Sequence, residues 1–141
     1  MADRLLVDLG GDGRVSVGTW LDGELPEAGE ARELAWPLDG EALEDLRWYL
    51  EDYLRAPFGV YGDRGPRVEA ALAGWGQAVF AAVFGGGPAW NSYLRVRLRG
   101  GPAEVVFRSA SPQLLGLPWE LMTDPGRPTP LALEMAGVSR R

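Results

Sequence analysis

The sequence predicts an α+β domain with a small antiparallel meander or hairpins, two amphipathic helices and a short Pro-Trp-Glu helix. Alternating apolar and polar residues near both ends indicate strands, while two longer stretches have the spacing of helices. Glycine and proline clusters separate these stretches, and the length of 141 residues fits one domain. We expect a strand-rich leader over 1–37, two helices over 38–92, and a strand hairpin with a Leu-Pro-Trp-Glu segment over 93–141.

The leader should form a meander of strands. Residues 4–9 are a short apolar run, 10–13 supply turn residues, and 14–19 alternate with a period of two, which together predict a β-hairpin. A glycine cluster after a strand can also cradle phosphate, but that use requires a helix next, and a second strand follows here. A third strand is expected over 31–36, ended by Pro37.

The first helix should begin after Asp39, which can cap it, and should end before Pro57. Its apolar side chains recur at helical spacing: Leu43, Leu46, Leu50, Tyr53 and Leu54. Its acidic side chains could supply the paired carboxylates of a glycoside hydrolase: Glu44, Asp45, Glu51 and Asp52. We favour the simpler interpretation, in which these charges form the solvent-exposed face of an amphipathic helix.

The second helix should begin at Gly65-Pro66 and end at the glycine cluster 85–87. A broad apolar face runs along it: Val68, Ala71, Leu72, Trp75, Ala78, Val79, Ala82 and Val83. Gly74 and Gly76 lie inside this helix, where each costs about 0.5–1 kcal/mol relative to alanine. We interpret them as positions that another element approaches closely, with a ligand contact as the alternative.

Residues 93–99 show the cleanest alternation and predict a strand, with a return strand over 104–107. Its two faces would carry different side chains: Leu94, Val96 and Leu98 on one, and Arg95, Arg97 and Arg99 on the other. Three arginines projecting together are a candidate interaction site for phosphate or an acidic partner. The alternative is a solvated strand face with carboxylates opposite.

Missing residue types exclude most catalytic chemistry from this chain. It has no histidine, cysteine or lysine, which removes Ser-His and Cys-His pairs, Schiff bases, Walker lysines and the usual zinc sites. We predict no catalytic residue, no cofactor and no metal. The net charge of −6 argues against a nucleic-acid partner. Neither a membrane span nor a signal peptide is evident and no disulfide can form, so we expect a cytoplasmic protein.

The stretch from Ser111 to Met122 contains the most informative motif, Leu-Pro-Trp-Glu at 117–120. Pro118 can start a short helix, and Leu117 and Trp119 supply apolar anchors. Glu120 is the one acid that we single out as a candidate functional residue. The alternative role for Glu120 is that of a capping or packing carboxylate at the helix start.

The order of elements in this half of the chain resembles that of bacterial CHAT-domain proteins, a caspase-like family often joined to TPR repeats. In that family a strand is followed by Leu-x-x-Leu-Pro-Trp-Glu-Leu and then by a short apolar stretch and Val-x-Arg. The corresponding stretches here are 93–98, 114–121, 131–133 and 138–140, and the helix around 75–80 resembles one that precedes them. The resemblance implies a partial caspase-like module.

The family's catalytic histidine and cysteine have no counterpart here, because the chain contains neither residue. The resemblance therefore implies a non-catalytic scaffold segment that packs against a catalytic region, a cysteine peptidase in the complete protein. Two other functions remain open: an independent adaptor that binds a protein through a sheet edge or helix face, and a carboxylate-only hydrolase.

A scaffold severed from its catalytic half should expose apolar surface. We expect that either the strand 94–98 or the apolar face of the second helix, from Val68 to Val83, lacks its natural cover. A contiguous apolar patch of this kind favours a homo-oligomer or a complex with another protein.

Overall fold

The computed structural model describes residues 2–54, 63–127, 130–131 and 137–140. The elements follow in this order: β1 (Asp3–Leu9), β2 (Arg14–Trp20), β3 (Arg32–Glu33), α1 (Gly40–Trp48), a π-helical turn (Tyr49–Tyr53), α2 (Arg64–Phe84), α3 (Gly87–Arg99), β4 (Ala103–Arg108), α4 (Pro112–Leu115), a 3-10 turn (Trp119–Leu121) and β5 (Gly137–Arg140). The predicted α+β class is confirmed.

The described strands form one mixed sheet in the order β3-β2-β1-β4-β5. The first three make the predicted antiparallel meander, with β1 paired to β2 and β2 to β3. β4 runs parallel to β1, and β5 runs parallel to β4. A parallel pair needs a long crossover, which the helices between β3 and β4 supply. β5 is consequently an outermost strand of the described sheet.

The strand predicted over 93–99 is wrong, because these residues form the second half of α3. Pro88 lies in the first turn of this helix, and Gly100 ends it in the left-handed conformation with φ of 70°. The buried side chains recur at helical spacing: Ala89, Tyr93 and Val96. Leu98 is 83% exposed, although a strand would place it on the same face as Val96. Over so short a run the alternation fits either period, and the flanking Pro and Gly select the helix.

The predicted hairpin between 93–99 and 104–107 is therefore also wrong. Residues 104–107 lie in β4, whose partners are β1 and β5. The region 38–92, predicted to contain two helices, holds α1, α2 and the beginning of α3. A strand does precede the Leu-Pro-Trp-Glu segment, but that strand is β4.

The core lies between the sheet and the helices α2 and α3. It contains aliphatic and aromatic side chains from every layer: Leu5, Val7, Val79, Val83, Tyr93, Val96, Val105, Phe107 and Trp119. On the predicted apolar face of α2, Val68, Val79 and Val83 are buried. The expectation that this face lacks cover is wrong, because the chain covers most of it itself.

No single helix among the described residues is long and apolar enough to cross a membrane. α2 and α3 pass that test only as a pair, by length and composition, and they are bent by 106° relative to each other.

Gly76 allows the stretch after the 3-10 turn to cross α2 at close range. The amide of Thr123 donates to the carbonyl of Gly76 at 3.0 Å. A Cβ at position 76 would collide with the carbonyl oxygen of Leu121 and the hydroxyl of Thr123. At Gly74, by contrast, nothing described lies within 4 Å of such a Cβ. The close approach predicted from the two glycines is confirmed at Gly76 and wrong at Gly74.

Substituting alanine for Gly74 and for Gly76 should change the free energy of unfolding in opposite directions. Gly76→Ala should lower the free energy of unfolding by about 1–3 kcal/mol, because the new methyl group must displace backbone. Gly74→Ala should raise it by about 0.5–1 kcal/mol through helix propensity. Urea denaturation of both variants measures the two effects. A Gly76→Ala variant as stable as the unmodified chain, or more stable, would contradict the close crossing at Gly76.

Candidate functional site

The Leu-Pro-Trp-Glu segment, residues 117–120, is anchored by Trp119. The indole of Trp119 is fully buried and stacks on Phe107 of β4 with ring centroids 4.7 Å apart. The rings of Trp119 and Trp36 pack in a T-shaped arrangement with centroids 5.1 Å apart, and Nε1 of Trp119 donates to the carbonyl of Leu114 at 2.8 Å. The short helix predicted at Pro118 is a single 3-10 turn that begins at Trp119. The tryptophan therefore fixes the turn to the sheet.

Glu120 leaves the same turn and forms an ion pair with Arg140 of β5. Nη2 of Arg140 donates to Oε2 of Glu120 at 2.6 Å, and Nη1 contacts the other carboxylate oxygen. The same guanidinium donates to the carbonyls of Leu115 at 2.5 Å and Leu117 at 3.1 Å. One arginine thus ties β5 to α4 and to the Leu-Pro-Trp-Glu segment.

This environment suits a structural carboxylate. The hydrogen bonds from Arg140 lower the pKa of Glu120, and the reciprocal interaction raises the pKa of Arg140. A carboxylate that stays ionised far below neutral pH is a poor general acid. The arrangement favours the packing role for Glu120 over a catalytic one.

The arginines Arg95, Arg97 and Arg99 do not project together, because a helix turns by about 100° per residue. Arg95 and Arg99 are four residues apart and lie on the same side of α3. Arg95 pairs with Glu27 at 2.8 Å. The guanidinium of Arg97 lies elsewhere, 5.9 Å from the ring centroid of Tyr93. Their role as an interaction site stays a prediction, but its basis, a shared strand face, is wrong.

Arg99 contributes to a junction at the start of β1. Its Nε donates to Oδ2 of the buried Asp3 at 2.7 Å, and the other carboxylate oxygen accepts from the amide of Asp22 at 2.7 Å. The Arg99 hydrogen bond, followed by the Asp22 amide, holds the pKa of Asp3 below its usual range. Asp3 therefore joins the end of α3 to the loop that follows β2.

Tyr93 and Asp124 form a buried polar pair that sequence reasoning missed. The phenol donates to Oδ2 of Asp124 at 2.7 Å, while Oδ1 accepts from the amide of Gly126 at 2.9 Å. Burial and the Asp124 hydrogen bond raise the pKa of Tyr93. The Asp-Pro-Gly sequence at 124–126 is a turn signal that could have indicated the second bond. The pair links α3 to the chain beyond the 3-10 turn.

The acids of α1 and of the π-helical turn are paired with arginines rather than with one another across a cleft. Glu44 and Glu51 both contact Arg47, and Asp45 pairs with Arg64 of α2 at 2.9 Å. Within the described ranges, no group of three or more aspartate or glutamate side chains could hold a metal ion. These contacts are those of a charged helix surface.

No protein-family model, curated protein or solved structure matches this chain. The geometry around Trp119 and Glu120 is therefore the main structural guide to function.

Replacing Glu120 by glutamine should weaken the fold in a pH-dependent way. The side chain is 48% exposed, so water screens the pair and the loss at pH 7 should be only about 0.5–1 kcal/mol. Arg140 lowers the pKa of folded Glu120, so this contribution is complete above the unfolded pKa of about 4.3 and disappears as the pH falls through the folded pKa.

Urea denaturation of both proteins at pH 7 and near pH 3 measures this difference in stability. Glu30→Gln, an exposed glutamate on the loop before β3, is the matched control and should show almost no loss at either pH. An equal loss for Glu120→Gln at both pH values would rule out the ion pair as its cause.

Tyr93→Phe should lower the free energy of unfolding by about 1.5–3 kcal/mol, because it removes a hydrogen bond to a buried carboxylate. Tyr49→Phe is the control, since that hydroxyl donates to the exposed Glu69 at 3.0 Å. The control should lose no more than about 1 kcal/mol. Thermal unfolding monitored by circular dichroism compares the variants, and similar losses would contradict a special role for the buried pair.

Proposed function

We propose that this chain is the non-catalytic scaffold segment of a CHAT-type, caspase-like protein and packs against a catalytic region that the chain itself does not contain. Its support begins with sequence: a strand, Leu-Pro-Trp-Glu-Leu and Val-x-Arg follow one another as in that family. Histidine and cysteine are missing from the sequence, so a cysteine-peptidase reaction needs residues from elsewhere.

The Glu120–Arg140 ion pair is the observation that carries the proposal. These two residues belong to the two halves of the motif, Pro-Trp-Glu and Val-x-Arg, which are separated along the chain. Their contact gives both halves one structural task, the attachment of β5 to the Leu-Pro-Trp-Glu segment. A motif with a structural task fits a scaffold better than an enzyme.

One element requires reassignment within this proposal. The resemblance used residues 93–98 as the strand before the motif, and those residues are helical. β4 takes that place, because it ends at Arg108, a few residues before the Leu-Pro-Trp-Glu segment. With this reassignment the order of strand, Leu-Pro-Trp-Glu and Val-x-Arg is kept, and Val-x-Arg lies in β5, which runs parallel to β4.

The edge of the sheet offers a place for the catalytic region. β5 is outermost among the described strands on its side, and an edge strand presents backbone donors and acceptors to a further strand. In this proposal the catalytic region continues the sheet next to β5. We place the complete protein in the bacterial cytoplasm, an environment that suits a chain without disulfides.

A second candidate function is an independent adaptor that binds another protein. The closed core favours it, because α2 buries Val68, Val79 and Val83 without help from another chain. A chain that completes its own core needs no catalytic half for stability. The two functions differ in one requirement: the scaffold needs a catalytic region to pack against, and the adaptor does not.

The gene sequence next to the region encoding this chain separates the two functions. The scaffold proposal predicts a neighbouring region with a His-Gly motif and a cysteine after an apolar strand. Co-expressed with that region, this chain should form a stable complex. Arg140→Ala should weaken the complex at least about tenfold, equivalent to about 1.4 kcal/mol, because β5 loses its attachment.

Arg14→Ala is the matched control, since Arg14 is exposed and lies on β2, which β1 and β4 separate from β5. It should leave the affinity unchanged when measured by surface plasmon resonance. A gene without a catalytic region favours the adaptor. Hydrolysis by the purified chain that Glu120→Gln abolishes would contradict both functions.

A further inference from the structure

Two apolar clusters hold the described part of the chain together, and they differ greatly in size. The larger cluster is the core between the sheet and the helices. The smaller cluster lies between the end of α1, the π-helical turn and the first half of α2. It consists of the buried side chains Trp48, Tyr49 and Val68, with Tyr53, Leu72 and Trp75 packed around them. Trp75 packs against both clusters and marks the border between them.

Residues 48–53, which we call the strap, run from the end of α1 through the π-helical turn. A π-helix is a rare backbone form that occurs mostly as single turns, frequently at functional sites. Half of the strap faces solvent, because Leu50, Glu51 and Asp52 are exposed. The other half consists of the three aromatic residues that supply the packing of the strap in the smaller cluster.

Arg64, in the first turn of α2, fastens the beginning of the strap. Its Nη2 donates to Oδ1 of Asp45 at 2.9 Å, and its Cζ lies 4.2 Å from the ring centroid of Trp48. One guanidinium therefore binds α1 through an ion pair and the strap through a cation–π contact. The hydroxyl of Tyr49 adds a hydrogen bond to Glu69 of α2 at 3.0 Å.

Gly65 receives the end of the strap. A Cβ at position 65 would collide with the ring of Tyr53, so the absence of a side chain there lets the ring lie directly on α2. The same ring stacks on Tyr49 with centroids 5.4 Å apart. The strap is thus attached to α2 near both of its ends.

We propose that the strap is a conformational device that opens from α2 as a unit while the sheet and the larger core stay folded. Proteins open locally where few apolar contacts are buried and the chain is exposed to solvent, and the strap meets both conditions. Opening uncovers Val68, which is only 1% exposed in the closed form. The first half of α2 thereby becomes a surface that is accessible in the open form alone. Arg64 sets how often the strap opens, because it contacts both α1 and the strap.

Hydrogen exchange of the full chain, followed by mass spectrometry in water and in low concentrations of urea, tests the opening. Amides of the strap should exchange at least about 100-fold faster than those of β1 and β4, because local opening needs less free energy than global unfolding. Low urea should accelerate exchange in the strap less than in β1, since a local opening exposes less surface. Strap amides that exchange as slowly as those of β1 and β4 would overturn the proposal.

Arg64→Gln tests the attachment at the beginning of the strap, because it removes the charge from both contacts of the guanidinium. Exchange in the strap should become at least about tenfold faster, while exchange in β1 and β4 stays unchanged. Arg67→Gln is the matched control: Arg67 is exposed on the same helix three residues later, and its substitution should not change exchange in the strap. An equal acceleration by Arg64→Gln in every element would overturn the strap as a separate unit.

Gly65→Ala tests the other end of the strap without a change in charge. The new methyl group displaces the ring of Tyr53, so exchange in the strap should again become faster, whereas Gly74→Ala on the same helix should leave it unchanged. The proposal requires both Arg64→Gln and Gly65→Ala to act on the strap, and failure of either overturns it. The scaffold function is unaffected by these results, because it concerns the edge of β5 and Arg140.

Discussion

The burial of Trp119 is the interaction on which the arrangement of the C-terminal half depends. Its ring stacks on Phe107 of β4, and its Nε1 donates a hydrogen bond to the carbonyl of Leu114. These contacts fix the position of the 3-10 turn relative to the sheet. Glu120 follows directly and, from that position, pairs with Arg140. The attachment of β5 is thus a consequence of a tryptophan that lies one residue earlier in the chain.

Much of the fold could be predicted where local chemistry decides the structure. The meander follows from alternation and glycine turns, and Asp39 caps α1 as expected, accepting from the amide of Ala42 at 2.8 Å. Residues 93–99 show the limit of such reasoning. Their alternation of arginine with aliphatic residues is compatible with a strand, whereas the helix buries Tyr93 and Val96 against the sheet and α2. The proline and glycine at the two ends of α3 and the tertiary burial of one face together favour the helix, and the alternation by itself reveals neither.

The candidate site could be predicted in part. Leu-Pro-Trp-Glu was recognisable because its residue types are distinctive, and so was a packing role for Glu120. The partner of Glu120 could not be identified, since Arg140 lies 20 positions later and its approach depends on the pairing of β5 with β4. Tyr93 and Asp124 are 31 positions apart, so their hydrogen bond could not be predicted either, because it forms only in the tertiary structure.

The parallel pairing of β1 with β4 also constrains how the chain folds. The Asp8–Arg108 ion pair across these strands joins residues 100 positions apart, so the second edge of β1 stays open until both long helices and β4 have been made. The β1–β2 hairpin closes over a short loop and can form early, whereas contacts between distant residues carry a larger loop-closure entropy and form slowly. During synthesis β1 is consequently an exposed edge strand. The time that α2, α3 and β4 need to be synthesised and to fold determines how long β1 can pair with another chain.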